Sequence, residues 1–421
     1  MIRGRILCVT SNFPRWTGDS TTPFVLHLAQ DLQQLGWRID VLSPHAERTA
    51  LREILGGVQV ERFRYLWPSS LETICYQGGA LINLRKNRAN YLKLPALISS
   101  EGLNLFLRLK GGKYDLLHSH WILPQGFTGI LAAGPLGIPH VVTVHGGDVF
   151  GLQGALLTTF KRFTLRHADA VTVNSSVTER AVTEISPALK ELHRIPMGVS
   201  TNEMKVSTSF VELRNRYRRG NGPLLIFVGR LVEEKGVEDL IRAVDILVPR
   251  FPDITALIIG EGQDRPDLEG LTKTFGLSDR VIFTGWVKPD DISAYLAAGD
   301  IFVGPSREAS DGWIEAQGLT VIEAMVAKTP VITTRVGGVV DSVKHEETGL
   351  LVNERSPDEI AKAVERIVGE PLLADNLRGQ GYKLAANKFS RASSAKSFSA
   401  LFEHMIQSKG SRRVVNRGGE R

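Results

Sequence analysis

The sequence predicts an α/β protein in which parallel sheets are covered by helices, and three observations point there. Short apolar runs that end in turn residues alternate along the chain with amphipathic stretches of helical period. Several runs are apolar throughout, as strands buried on both faces of a parallel sheet must be. The 421 residues, with 43% hydrophobic and 23% charged side chains, fit an ordinary soluble protein of two or three domains, and two Rossmann-like halves account for that length.

In the first half, residues 5–10 read as a strand, 24–35 as an amphipathic helix and 38–43 as the next strand. The polar loop 11–23 lies between the first two, at the carboxyl end of a strand, where open α/β sheets bind ligands. Residues 61–113 are less regular. From 81 to 109, Leu92, Leu94, Leu97, Ile98, Leu103, Leu105, Phe106, Leu107 and Leu109 are interleaved with Arg85, Lys86, Arg88, Lys93 and Arg108. Such a stretch is amphipathic helix; it serves either as core helices with basic outer faces or as a surface that lies on a membrane. Two strand ends carry histidines: residues 114–121 with His118 and His120, and 139–148 with His145 and Asp148. Three histidines raise the question of zinc, but no His-Glu-x-x-His helix accompanies them, and we expect no metal. Residues 168–176 form another strand, and 192–200 close this half.

A polar, helix-like link at 207–222 leads to the second half. Its first strand, 223–229, ends at Gly229 and is followed by Arg230 and Lys235 before a helix at 237–247. Strands follow at 253–262 and 280–287, the latter carrying Trp286 and Val287, and a buried strand at 300–306. A glycine-bearing loop then opens a helix at 320–328, so the amides of Gln317, Gly318, Leu319 and Thr320 crowd a positive helix end that suits an anion. Glu315 and Glu323 bracket this loop. Thr320-Val-Ile-Glu323 equally fits a capping box, in which Glu323 satisfies only a backbone amide. Residues 390–404 are amphipathic, and the basic tail 409–421 is expected to be disordered.

Composition narrows the classes of function. Two cysteines, Cys8 and Cys75, give neither a zinc spacing nor a disulfide framework, so a reducing cytoplasm is the default setting. No apolar run approaches the roughly 20 residues that span a bilayer, and the N-terminus passes almost directly into a strand, unlike a signal peptide. The formal charge of +6 is concentrated in residues 85–113 and the tail. Without aromatic interleaving or a helix-turn-helix pattern, nucleic acid is a poor partner for these patches. An anionic membrane surface fits them better, although a solvated face is the commonest meaning of a charge run.

Taken together, Glu315-Ala-Gln-Gly-Leu-Thr-Val-Ile-Glu323, the following Ala-Met-Val-Ala-Lys-Thr-Pro-Val-Ile-Thr-Thr-Arg-Val-Gly-Gly338 and the strand-turn-strand Glu346-Glu-Thr-Gly-Leu-Leu-Val352 resemble the donor-binding signature of the family 4 retaining glycosyltransferases. Gly229-Arg-Leu-Val-Glu-Glu-Lys-Gly236 is similar to that family's Gly-Arg-Leu-x-x-x-Lys-Gly. The resemblance covers nearly the whole chain. It implies the GT-B fold, two Rossmann-like domains facing across a cleft: 1–200 for the acceptor, 201–389 for the nucleotide sugar, a helix at 390–408 returning to the first domain, and the tail 409–421. It further implies transfer of a hexosyl unit from a UDP or GDP sugar to a sugar or lipid-linked acceptor, in polysaccharide or glycolipid assembly, without a cofactor. On this reading Arg230, Lys235 and the amides around Gly318 stabilise the leaving diphosphate, Glu323 holds the ribose, and Glu315 and His145 contact the donor sugar. Gly229, Gln317, Leu319 and Thr320 complete the donor site, with Trp286 and Val287 beside the base. The acceptor side falls to Gly18, Asp19, Ser20, His120 and Asp148.

This sequence departs from the family pattern at two places. Asp19, Ser20, Thr21 and Thr22 follow Gly18 where the family has a second glycine, which favours side-chain recognition of a sugar over a phosphate-binding loop. Met197 stands where an asparagine is usual before Gly198. A GT-B epimerase or phosphorylase, or a non-catalytic sugar-nucleotide-binding protein, would share these features. A nicotinamide-dependent enzyme is disfavoured, because no Gly-x-Gly-x-x-Gly follows the first strand. The sugar, base, linkage and oligomeric state are not legible.

Overall fold

Runs such as Leu224-Leu-Ile-Phe-Val228 have no polar side chain to offer solvent, so they become strands covered on both faces. The computed structural model of the chain describes residues 2–19, 21–76, 79–151, 153–201 and 209–418, with the backbone alone for 410–418. It divides into two compact units: Met1–Met197 with Arg391–Arg421, and Gly198–Ser390.

The first unit runs β1 (Gly4–Val9), α1 (Pro23–Gln34), β2 (Trp37–Pro44), β3 (Arg52–Leu55), β4 (Val58–Phe63), α2 (Ala80–Lys86), α3 (Leu94–Gly112), β5 (Leu116–His120), α4 (Phe127–Ala133), β6 (His140–Val144), α5 (Gly147–Phe150), α6 (Ala155–His167), β7 (Ala170–Val173), α7 (Ser176–Ile185) and β8 (Leu192–Arg194). Its sheet has the order β3-β4-β2-β1-β5-β6-β7-β8, parallel except for the β3–β4 pair. Side chains alternate across it. Leu7, Val9 and Leu117 join Leu97, Leu105 and Leu109 of α3 in one core. Cys8 pairs in register with His118 on the same two strands. The amphipathic stretch 81–109 therefore does form core helices: α3 buries Leu97, Leu105 and Leu109 and turns its other side outward.

The second unit runs α8 (Phe210–Tyr217), β9 (Leu224–Val228), α9 (Val237–Leu247), β10 (Thr255–Ile259), α10 (Arg265–Thr274), β11 (Val281–Gly285), α11 (Pro289–Ala298), β12 (Ile301–Gly304), α12 (Leu319–Val326), β13 (Val331–Thr334), β14 (Leu350–Val352), α13 (Pro357–Gly369) and α14 (Pro371–Lys388). All its strands are parallel, in the order β11-β10-β9-β12-β13-β14. Residues 346–352 were expected as strand-turn-strand. Only β14 joins the sheet; Glu346, at φ 63°, sits in a turn closed by a single bridge between His345 and Gly349.

Strand order reverses between β9 and β12 in this unit and between β1 and β5 in the first. At such switch points the loops leave the carboxyl ends of neighbouring strands in opposite directions and open a crevice. The loops singled out by sequence, after Gly229 and Gly304 in one unit and after Val9 and His120 in the other, are the loops that leave these points.

The closing helix α15 (Arg391–Gly418) packs on the first unit. Arg391 grips Asp31 of α1 at 2.7 and 2.8 Å, Trp37 Nε1 donates to Ser399 at 2.8 Å, and Phe402 meets the Trp37 ring edge-on. The helix continues past residue 408, where disorder was expected. Lys409 is fixed by Asp169 at 2.8 Å, and no proline interrupts the backbone before Gly418.

Phe402 is wholly buried among α15, Trp37 and His118. Phe402→Ala should therefore lower the stability of this unit by about 3–5 kcal/mol, seen as an earlier urea transition. An unshifted transition would remove α15 from the core.

Candidate active site

In the second unit the chain after β9 makes one tight turn, Glu233–Lys235, before α9. The turn is held close to the end of β12 by a glycine. Gly236 has φ +60°, and a Cβ there would lie 2.0 Å from the Pro305 carbonyl oxygen. Arg307 reinforces the approach, its amide donating to the Glu234 carbonyl at 3.0 Å and its Nε to that of Glu233 at 3.1 Å. The Glu233 carboxylate in turn accepts from the amide and hydroxyl of Ser310 at 3.0 and 2.8 Å. The loops following Gly229 and Gly304 are thus laced into one rigid edge.

Across that edge Lys235 Nζ forms an ion pair with Glu315, both side chains less than one-fifth exposed. Glu315 also accepts from the Gly318 amide at 3.1 Å. Burial alone would raise its pKa, but the Lys235 charge and the hydrogen bonds from Lys235, Gly318 and Gln317 outweigh it and hold the carboxyl below its ordinary value. The Glu315 carbonyl is pinned by the Gly338 amide at 2.8 Å, and Gly337, at φ +68°, leaves room for it.

Because the Gln317 and Gly318 amides are spent on Glu315, the anion site expected from Gln317, Gly318, Leu319 and Thr320 narrows. The amides left are those of Leu319 and Thr320, which open α12 and have no acceptor within the helix. The same cap decides the role of Glu323. The N-cap is Gly318 in a left-handed conformation, not Thr320, and no side chain caps the helix. Glu323 is therefore not part of a capping box. Among the described residues its carboxylate has no hydrogen-bond partner, and burial pushes its pKa up to about 7.

The remaining donor-side residues are more open. Arg230 is half exposed and pairs with Glu234 at 3.2 Å. Gly229 donates to Ile259 at 3.0 Å, and the close approach of Gly260, whose Cβ would lie 1.9 Å from the Gly229 carbonyl, fixes the strand end. Trp286 is exposed directly after β11, while Val287 packs into the core beside Leu319. No described contact joins Trp286 to the Lys235–Glu315 pair.

In the first unit, His120 Nδ1 and His145 Nε2 are 2.8 Å apart and their rings stack at 5.1 Å. One nitrogen must donate and the other accept, so neutral rings suffice. Burial keeps them neutral: it drives His145 down to about 3, and His120 lies well below its ordinary value because of burial and the neighbouring His118 and His145. Phe24 and Trp121 lie 5.0 Å from His145 on its other sides. Trp121 was not singled out from the sequence. Its φ of +76° is a strained conformation for a bulky side chain, and the Trp after a histidine-ending strand was the only available signal.

The other acceptor-side residues organise backbone. Asp19 accepts from the amide and Nε of Arg15 at 2.9 and 2.8 Å and from Thr21 at 2.9 Å. Burial would raise its pKa, but these hydrogen bonds and the Arg15 charge lower it. Asp148 ties the Ile122 and Gly146 amides at 2.9 and 3.1 Å; burial raises its pKa despite them. Gly18, at φ +85°, faces open space, and Ser20 lies outside the described residues. Cys8, His118 and His120 bring potential ligand atoms within 4.8 Å of one another. His118 is already bonded to Thr143 at 2.7 Å and packed beneath Phe398 and Phe402.

Residues 211–384 match the family model described as glycosyl transferases group 1, and residues 21–198 that of the glycosyl transferase 4-like domain. The chain is 32% identical over 278 residues to a 2-deoxystreptamine glucosyltransferase of Streptomyces kanamyceticus, covering 61% of this chain and 69% of that protein. It is 34% identical over 235 residues to a GDP-mannose-dependent α-(1-6)-phosphatidylinositol monomannoside mannosyltransferase of Mycobacterium tuberculosis, 54% of this chain and 60% of the relative. In fold it is similar to a sucrose-phosphate synthase from Thermosynechococcus elongatus (TM-score 0.77, 22% identity, 96% of this chain and 100% of the other). It is likewise similar to Anabaena HepE in complex with UDP (TM-score 0.72, 18% identity, 95% and 100%).

The Glu323 carboxyl fixes the sign of a pH effect. Its folded pKa lies above the ordinary 4.5, so its burial costs stability as pH rises from about 4.5 to about 7 and a constant amount above. Glu323→Gln should therefore stabilise the second unit above pH 7 by up to roughly 3 kcal/mol and leave it unchanged near pH 4. Urea melts at the two pH values check this, and equal effects at both would contradict the half-buried, unpartnered carboxyl.

Proposed function

Because this chain belongs to the glycosyl transferases group 1 family, we propose that it moves a hexosyl unit, with retention of configuration, from a nucleoside-diphosphate sugar to a hydroxyl of a sugar or lipid-linked acceptor. The observation that carries the reading is the buried Lys235–Glu315 pair beside an unpartnered Glu323 and the open first turn of α12. These groups supply, on one rigid edge, a cation for a diphosphate, amides for its oxygens and two carboxyl groups for hydroxyls.

As the glycosidic bond breaks, negative charge grows on the diphosphate. Lys235 as a point charge, Arg230 as a planar fork and the Leu319 and Thr320 amides stabilise it without reorganising, because the turn and helix already hold them in place. Two cations and a helix end make a metal unnecessary for that charge. Glu323 accepts from the ribose hydroxyls and Glu315 from the ring hydroxyls of the donor sugar. His145, neutral at working pH, offers a hydrogen bond without a charge. Among the described residues no carboxylate takes the part of a nucleophile in this reading, so the acceptor hydroxyl attacks from the face the diphosphate leaves, and the departing phosphate takes its proton.

The relatives named above use glucosyl and mannosyl donors, one of them GDP-mannose on a phosphatidylinositol glycolipid, and one structural neighbour holds UDP. These support a UDP or GDP sugar and polysaccharide or glycolipid assembly.

Lys235→Ala, with its fold checked by circular dichroism, should lower turnover by about 10²-fold or more. The product's anomeric configuration by NMR tests retention. Unchanged transfer by the variant would remove Lys235 from the chemistry, and an epimerised or phosphorolysed sugar in place of a glycoside would replace the reaction.

A further inference from the structure

The first unit carries an apolar surface that its own core does not use. On α3 the residues turned away from the sheet include Leu103 and Leu107, 60% and 58% exposed and one helical turn apart. Beside them Ile98, Gly102 and Phe106 form one wall of a groove of about 340 Å³, whose other wall is Thr128, Leu131 and Ala132 of α4. Leu131 is itself 54% exposed, and no charged residue occurs between 127 and 138. At the amino end of α3, Tyr91 and Leu92 protrude, the latter 85% exposed. Contiguous exposed leucines around an open groove are uncommon on a surface that meets only water.

The segment that carries this surface is strongly cationic. Residues 79–113 contain seven cations, Arg85, Lys86, Arg88, Lys93, Arg108, Lys110 and Lys113, against a single acid, Glu101. Glu101 is wholly buried, where Gln125 and Thr128 donate to it at 2.8 and 2.7 Å, so it presents no negative charge outward. Arg108 is paired with Glu61. Arg85, Lys86 and Arg88 are exposed just before Tyr91 and Leu92, and Lys110 is exposed one turn beyond Leu107.

From this juxtaposition we propose that the outer face of α3 and α4, with the 85–93 segment, docks on an anionic phospholipid surface: Leu92, Leu103, Leu107 and Leu131 enter the interface and the cations engage lipid phosphates. The charge pattern selects this occupant over a second copy of the chain. A two-fold contact sets the same patch against itself, and here it would bring cationic rims together. A lipid bilayer offers acyl chains for the leucines and, where anionic, about 1 kcal/mol of attraction per lysine or arginine near its surface. The surface stands independently of the catalytic reading, since none of its residues belongs to either proposed binding site.

The test is flotation of the full chain with vesicles of phosphatidylglycerol and phosphatidylcholine, and of phosphatidylcholine alone. Binding is expected to the anionic vesicles, at least about tenfold weaker to the neutral ones, and reduced by high salt. Two double variants, L103N/L107N and K86E/R88E, change exposed side chains only, and each should weaken binding about tenfold or more. Their thermal melts and nucleotide-sugar binding should match the wild type, so a failed catalytic assignment would not imitate a failed surface. Absence of the wild type from floated anionic vesicles, or flotation of either variant equal to that of the wild type, would overturn the proposal. So would a concentration-dependent dimer in sedimentation equilibrium that L103N/L107N abolishes, since that result makes the face a contact between copies.

Discussion

An ammonium and a carboxylate taken out of water must find each other, and the second unit is built around that requirement. Lys235 and Glu315 are far apart in sequence and rest on different loops, so their meeting depends on backbone that approaches more closely than side chains allow. Gly236 against Pro305, Gly337 against the Glu315 carbonyl and Gly260 against Gly229 are among these close approaches. Removing either partner of a buried pair strands the other's charge, which is why the pair sits on laced loops and not on independent ones.

The first unit treats its polar groups differently. His118, His120, His140 and His145 are hydrogen-bonded, and each leans on a hydroxyl or another ring: His118 on Thr143, His140 on Ser119 at 2.7 Å, His120 on His145. Burial disfavours charge in all four. These rings are therefore hydrogen-bonding groups held without charge. The Lys235–Glu315 pair and the histidine cluster thus differ in chemistry, one ionic and one neutral.

Much of this was legible in the sequence, because the signals were strong where burial is complete. The helix at 237–247 was read to the residue, since Gly236 opens it and its apolar face is continuous. Most strands came out within one to three residues where an apolar run met turn residues, but the one read to Asp148 ends at Val144, and β3 and β4, whose runs are broken by charged residues, were not read. Other features turn on groups that share one local pattern. Thr320-Val-Ile-Glu323 carries the letters of a capping box, and only the left-handed Gly318, one turn earlier, takes the cap and frees the acid. Asp19 and Asp148 look like ligand carboxylates in sequence but are held by Arg15 and by backbone amides, partners that spacing does not reveal. The strain at Trp121 has no sequence signature at all.

The placement of α15 has a bearing on biosynthesis. The first unit takes its last helix from residues that leave the ribosome only after the whole second unit has been made. Until then Trp37, His118 and Asp31 lack their cover, and an apolar cleft stands open on the nascent chain. The second unit, encoded in one continuous stretch, is free of that delay. The domain begun first is thus the one completed last, and its exposed interval is the period in which a chaperone has something to hold.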